Sequence, residues 1–123
     1  MELNEVSGHV VDAAMKVHSK LGPGLLESAY EACLAYEIRK RDLNVQTQVA
    51  LPVQYEGVKL DAGYRIDLLV DSRLIVELKA VEKMHPIFEA QLLSYLKLSG
   101  CKVGLLLNFN VERMRNGVKR MVN

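Results

Sequence analysis

The stretch that most constrains this chain is GYRIDLLVDSRLIVELKAVEK, residues 63–83. Two apolar runs flank the turn signal "DSR", so the segment reads as a hairpin with strands over about 58–70 and 74–81. Side chains alternate between faces along a strand. In the second strand Ile75, Glu77, Lys79 and Val81 share one face, and Leu74, Val76, Leu78 and Ala80 the other. In the first, Val58, Leu60, Ala62, Tyr64, Ile66 and Leu68 share a face; Lys59, Asp61, Gly63, Arg65, Asp67 and Leu69 take the opposite one. A hairpin closed at residues 71–73 sets Asp67 across from Glu77, on one face and about 5 Å apart at Cβ. Two carboxylates that close repel, which raises one pKa unless a cation intervenes. Lys79 supplies one positive charge. A hard divalent ion neutralises the pair better, since Mg²⁺ accepts one or two carboxylates and keeps waters. An ion-pair cluster on a solvated face is the alternative, and the trio alone leaves both readings open.

The flanking sequence surrounds this hairpin with helices and further strands. Val6, Val10, Ala13, Ala14, Val17 and Leu21 recur at helical spacing, with Asn4 as a cap and Gly22-Pro23 as the stop. A second helix over 25–41 carries Leu26, Tyr30, Cys33, Leu34 and Ile38 on one stripe, with Arg39, Lys40 and Arg41 in the last turn, where the helix dipole favours cations. The period then drops to two from Val45 to Tyr55, a half-buried strand that Pro52 places near an edge. Pro86 opens a third helix, which ends at Gly100. "CKVGLLLNF" is a continuous apolar run, suited to a strand covered on both faces and paired in parallel. The order helix, helix, three strands, helix, strand predicts one α/β domain over residues 1–123, a mixed sheet of about four strands flanked by helices.

Composition sets outer bounds. Half of the 123 residues are hydrophobic and a quarter charged, an ordinary globular balance, and the net charge of +1 neither requires nor excludes nucleic acid. Cys33 and Cys101 lie in apolar runs, which reads as two buried free thiols in a reducing compartment, with a disulfide as the alternative; with no hydrophobic leader, the expected location is the cytoplasm. No apolar run approaches the roughly 18 residues of a membrane span. His9, His18 and His85 have no zinc spacing with the cysteines, and His18 reads as a partly exposed helix residue. No phosphate-binding glycine loop or nucleophile elbow occurs.

Three more residues join the candidate site. Glu27 stands in the first turn of its helix, where the dipole alone also accounts for a carboxylate. Gln91 and Tyr95, four apart in "QLLSY", project from one helix face. Tyr95 is equally readable as a core aromatic with its hydroxyl at the rim.

The ordered set "RID", "ELK" and "QLLSY" resembles the PD-(D/E)xK nuclease superfamily and its RecB-like Q-x-x-x-Y branch, and "GLLESAY" at 24–30 resembles the motif of the GxxExxY proteins. The resemblance runs from about Val6 to Arg120 and implies a restriction-endonuclease-like core. It implies Asp67, Glu77 and Glu27 as metal ligands, Lys79 as the catalytic lysine, and Gln91 and Tyr95 as helix-borne site residues. The implied cofactor is Mg²⁺, with Mn²⁺ as substitute, and a carbonyl beside Glu77, that of Leu78, is a further ligand. Two departures stand out: "ID" replaces "PD", and Phe88 occupies the place, three before Gln91, where relatives often carry a histidine. The implied activity is phosphodiester hydrolysis, of DNA more than RNA. The backbone would be held by Arg65, Arg73, Lys83, Lys97, Arg113, Arg115, Lys119 and Arg120, although any one of them reads more readily as a solvated surface charge. The rival expectation is a nuclease-like binding module with weak or lost catalysis. A protein partner, or a homodimer through the edge of the 45–55 strand, would enlarge the small binding surface.

Overall fold

The computed structural model describes residues 1–123. Helix α1 (Leu3–Leu21) buries Val6, Val10, Ala13, Ala14 and Val17, the stripe its spacing predicts. Gly22 ends it with φ 68°, a left-handed conformation that costs glycine little. Asn4 does not cap the helix; Glu2 stands at the cap position, and the Asn4 side chain accepts instead from Arg120. Helix α2 (Glu27–Arg39) lies against α1 through Tyr30, Leu34, Ala35 and Ile38, and Lys16 pairs with Glu37 across the two at 3.1 Å. His18 is buried rather than partly exposed, because its Nε2 finds the Val111 carbonyl at 2.7 Å. Both cysteines are free but only half-buried.

Seven strands follow, where the sequence suggests four. The long 45–55 segment breaks at Leu51-Pro52 into β1 (Val45–Ala50) and β2 (Val53–Tyr55). The 58–70 segment breaks at Asp61–Tyr64 into β3 (Val58–Leu60) and β4 (Arg65–Val70). The β2–β3 pair forms its own two-stranded hairpin, and the Leu51 amide donates to the Tyr64 carbonyl at its base. Strand β5 (Leu74–Lys79) returns beside β4 through a tight turn in which Asp71 and Ser72 adopt φ 54° and 56°. Helix α3 (Pro86–Ser99) carries the chain to β6 (Val103–Asn108), parallel to β5 as the unbroken apolar run suggests. The ambiguous basic tail forms a short 3₁₀ turn (Met114–Gly117) and an antiparallel edge strand, β7 (Val118–Val122). The main sheet has five strands in the order β1-β4-β5-β6-β7.

The sheet separates two apolar layers of unequal size. Helices α1 and α2 cover one face through Val10, Leu34, Leu68, Leu74, Val76 and Leu105 in a cluster of 21 buried residues. Helix α3 covers the other through Leu92, Tyr95 and Leu96 against Ile66, Ile75 and Leu106 in a cluster of 7. All of β6 is buried between them. Gly104 makes the α3 layer tight: a Cβ there would stand 2.8 Å from Leu92, inside van der Waals contact.

Candidate active site

The β4–β5 ladder pairs Val70 with Leu74, Leu69 with Ile75 and Leu68 with Val76, and then stops. Continued by one step, the register sets Asp67 opposite Glu77, the juxtaposition that the alternation suggests. Here carboxylates replace ladder bonds. The Asp67 amide donates to Glu77 Oε2 at 2.7 Å, and the Leu78 amide donates to Asp67 Oδ2 at 2.9 Å. Each acid is thereby locked in orientation by the backbone of the other strand. Glu77 is only 5% exposed. Burial, and then the charge of Asp67, push its carboxyl up to about 8; the Asp67 amide and Lys79 pull weakly the other way. A carboxylate that tends to hold a proton near neutrality is one that a divalent cation can relieve.

Strand β1 supplies a residue that sequence reasoning missed. Thr47 pairs with Leu68 and Val49 with Ile66, so Gln48 stands opposite Asp67. Gln48 drops out of the ladder with φ 51°, a left-handed backbone in mid-strand, which for a non-glycine residue costs about 1–3 kcal/mol. Its amide Nε2 donates to Asp67 Oδ1 at 3.2 Å and to Glu31 Oε1 at 2.7 Å. The distortion also redirects both strands. Leu68 packs in the α1/α2 layer and Ile66 in the α3 layer, although equal parity puts them on one face of a regular strand. Val45 and Val49 part in the same way. The expected shared face of Ile66 and Leu68 is therefore corrected. Asp67 sits where the β1–β4 pair crosses between layers, and groups from both sides reach it.

From the α1/α2 side come Glu27 and Glu31. Both carboxyls are raised, first by partial burial; Asp67 adds to each, while Lys79 opposes the shift at Glu27 and the Gln48 hydrogen bond opposes it at Glu31. Glu27 is the first residue of α2, and Tyr30 holds the preceding loop. The Tyr30 hydroxyl donates to the Gly22 carbonyl at 2.6 Å and accepts from the Leu25 amide at 3.1 Å. Its ring stacks on Phe109 at 4.6 Å, and the Phe109 amide donates to the Lys79 carbonyl at 2.9 Å. The "GLLESAY" segment thus couples the start of α2 to the end of β5. Its tyrosine is an organising residue for which the only sequence signal is its place in that segment.

From the α3 side comes Tyr95. It packs against Ile66 and Ile75, and its hydroxyl is raised by burial first, then by the charges of Glu77 and Asp67. Gln91, half-buried one turn earlier on α3, lines a cleft with Tyr95 and makes no side-chain hydrogen bond. Lys79 ends β5 with its ammonium 4.3 Å from the centroid of the Phe88 ring, an electrostatically favourable seat. Phe88 thus fills the place of the expected histidine by holding the lysine. His85 caps α3, its Nδ1 accepting from the Ile87 amide at 3.0 Å.

The structure brings Asp67 and Glu77 together, with Lys79, Tyr95 and Glu27 within electrostatic reach of both acids and Glu31 within reach of Asp67. No three His, Cys, Asp or Glu side chains close into a ready metal cage. The donors that fit a cation are the oxygens of Asp67 and Glu77, hard ligands suited to an ion that keeps several waters. Of the basic residues, Arg73 lies at the opposite end of the hairpin, tied to Asp71 and to the Met1 carbonyl. Lys119 pairs with Glu89 at 3.9 Å, and Arg65 bonds its neighbouring Tyr64 carbonyl at 2.9 Å.

No curated protein and no solved structure matches the chain. The family model for the PD-(D/E)XK nuclease superfamily matches residues 4–121. With nearly the whole length covered and a mixed sheet of five strands flanked by three helices, the chain belongs to the PD-(D/E)XK nuclease superfamily.

Proposed function

We propose that this protein is a Mg²⁺-dependent nuclease that hydrolyses phosphodiester bonds in DNA in preference to RNA. The observation that carries the reading is the mutual locking of Asp67 and Glu77 at the point where the β4–β5 ladder ends. Superfamily members generally use divalent metals. A bound Mg²⁺ supplies a water acidic enough to attack near neutral pH and a Lewis acid for the phosphate. Asp67 and Glu77 would hold the ion, and Mn²⁺ would substitute for it. Glu27, within electrostatic reach of Asp67, would add its charge to the site directly or through water. Lys79, held over Phe88 beside these acids, orients the attacking water and stabilises the charge that develops on the phosphate. Tyr95 and Gln91 position the substrate's backbone. The closer likeness to the GxxExxY proteins is part of the same proposal, resting on "GLLESAY" and on the organising role of Tyr30.

The test is cleavage of linear, nicked and single-stranded DNA and of RNA, with Mg²⁺ or Mn²⁺, by wild type, Asp67→Ala and Lys79→Ala. Loss of cleavage in both variants supports the proposal; cleavage that persists in both sinks it. One observation favours the rival, a binding module: the metal-free site ties both acids to backbone amides and closes no cage. Nucleic-acid binding that EDTA does not alter, without cleavage, selects that rival. The outer edge of β1 has no partner strand and is the surface we assign to a homodimer or protein partner.

A further inference from the structure

We infer that the cleft between α3 and the base of the β2–β3 hairpin seats an unstacked nucleobase, making single-stranded DNA the preferred substrate over intact duplex. The inference rests on the nuclease reading and extends it to a substrate class. The cleft has a volume of about 390 Å³, lined by Tyr64, Ile87, Ala90, Gln91, Ser94 and Tyr95 among others. It falls in the range of about 300–1,000 Å³ typical of small-ligand sites.

Its position selects the occupant. Tyr95 is shared: it packs with Ile66 and with Ile75, the neighbour of Glu77 on one face of β5, and it also lines the cleft. A phosphate held at the carboxylates therefore delivers its adjoining base to this wall. Tyr64 meets Tyr95 edge-on, with ring centroids 6.0 Å apart, and remains 43% exposed, which leaves a ring face to stack on. Ile87 and Ala90 give apolar sides. Ser94 offers a donor and an acceptor to a base edge, beside Gln91, whose otherwise unpartnered amide holds the adjoining backbone.

The magnitudes decide which nucleic acid profits. Stacking one base on an aromatic ring strengthens binding roughly 5- to 150-fold. Pulling a paired base from a duplex costs a comparable factor, and an unpaired base avoids most of it. One tyrosine platform thus favours strands already open without driving the opening of closed ones.

The experiment measures binding of a fluorescently labelled oligodeoxynucleotide, single-stranded or annealed, in Mn²⁺, alongside its cleavage. Wild type binds the single strand at least about fivefold more tightly than the duplex. Tyr64→Ala removes the platform and Ala90→Phe fills the cleft; each weakens single-strand binding by about fivefold or more and raises KM with kcat little changed, while Tyr64→Trp restores both. Circular dichroism confirms that the variants fold. Equal binding of strand and duplex by wild type overturns the inference, as does undiminished single-strand binding by both cleft variants. A single-strand preference sensitive to Tyr64, in a protein that never cuts, supports the cleft and overturns the nuclease reading.

Discussion

At its turn the β4–β5 hairpin is closed: Val70 faces Leu74, both fully buried, and every pair up to Leu68 and Val76 belongs to a regular ladder. One step further, at Asp67 and Glu77, the ladder gives way to side chains that bond to backbone amides. The closed end packs Leu68, Val70, Leu74 and Val76 into the large α1/α2 layer, and Leu69 and Ile75 against α3. The open end lies where β1 and β4 cross between layers, and it collects four carboxyl groups around one lysine. Regular pairing and close packing stabilise; the interruption of both is what brings charges from α2, β4 and β5, and the Tyr95 hydroxyl from α3, within electrostatic reach of one another. The contrast teaches that this small domain separates stability from chemistry along a single hairpin.

The sharpest way to break that contrast is at the open end. Asp67→Ala and Lys79→Ala each lower cleavage by about 10³-fold, as expected for loss of a group that acts on developing charge. Both retain cooperative thermal unfolding, measured by circular dichroism, because neither lies in the large apolar layer. Leu74→Ala at the closed end does the reverse. It costs roughly 2–5 kcal/mol of stability by chemical denaturation, whereas Ile87→Ala, at an exposed position, stays within about 0.5 kcal/mol of wild type.

A third test uses pH. The Glu77 carboxyl is raised above its unfolded value of 4.5 to about 8 by burial and by Asp67. The folded metal-free protein therefore binds a proton that the unfolded chain releases, so stability falls as pH rises through this window. The span is roughly a few kcal/mol, fully present below pH 4.5 and lost as pH passes about 8. Glu77→Gln flattens the dependence, and saturating Mn²⁺ reverses the loss at the alkaline end. Denaturation curves in EDTA and in Mn²⁺ check it; a metal-free stability that rises across the same window contradicts the assignment.

The smallest effects sharpen the comparison most. Gln48→Gly accepts the φ of 51° freely but removes the amide that ties Asp67 to Glu31. Stability stays within about 1 kcal/mol of wild type while Mn²⁺ affinity, by calorimetry, falls about 10- to 100-fold. Tyr30→Phe keeps the stack on Phe109 and deletes two hydrogen bonds to the loop before Glu27. It costs about 1–2 kcal/mol in denaturation and lowers cleavage modestly, through Glu27.

Much of this was legible before any coordinates. The period of two places Glu77 and Lys79 on one face, the length of the turn sets Asp67 across from Glu77, and the unbroken run of residues 101–109 announces a strand covered on both sides. Such features are local, set by backbone geometry and by a turn a few residues long. The breaks at Leu51-Pro52 and Asp61–Tyr64 were harder to read, since the alternating pattern runs straight through both. Gln48 was invisible, because a glutamine at an exposed position of an edge strand carries no mark of a left-handed backbone. His18 misled for a related reason: its acceptor is a carbonyl 93 residues away.

The sequence alone determined the three helices, the parallel crossover and the pairing of two acids across a hairpin, because hydrophobic period and turn length act over a few residues. Only the tertiary structure decided that β1 and β4 cross between layers at Gln48 and Asp67, that Glu31 joins Glu27 there, and that Phe88 seats Lys79. Those outcomes depend on contacts between segments tens of residues apart, and on backbone strain that distant packing alone can hold in place.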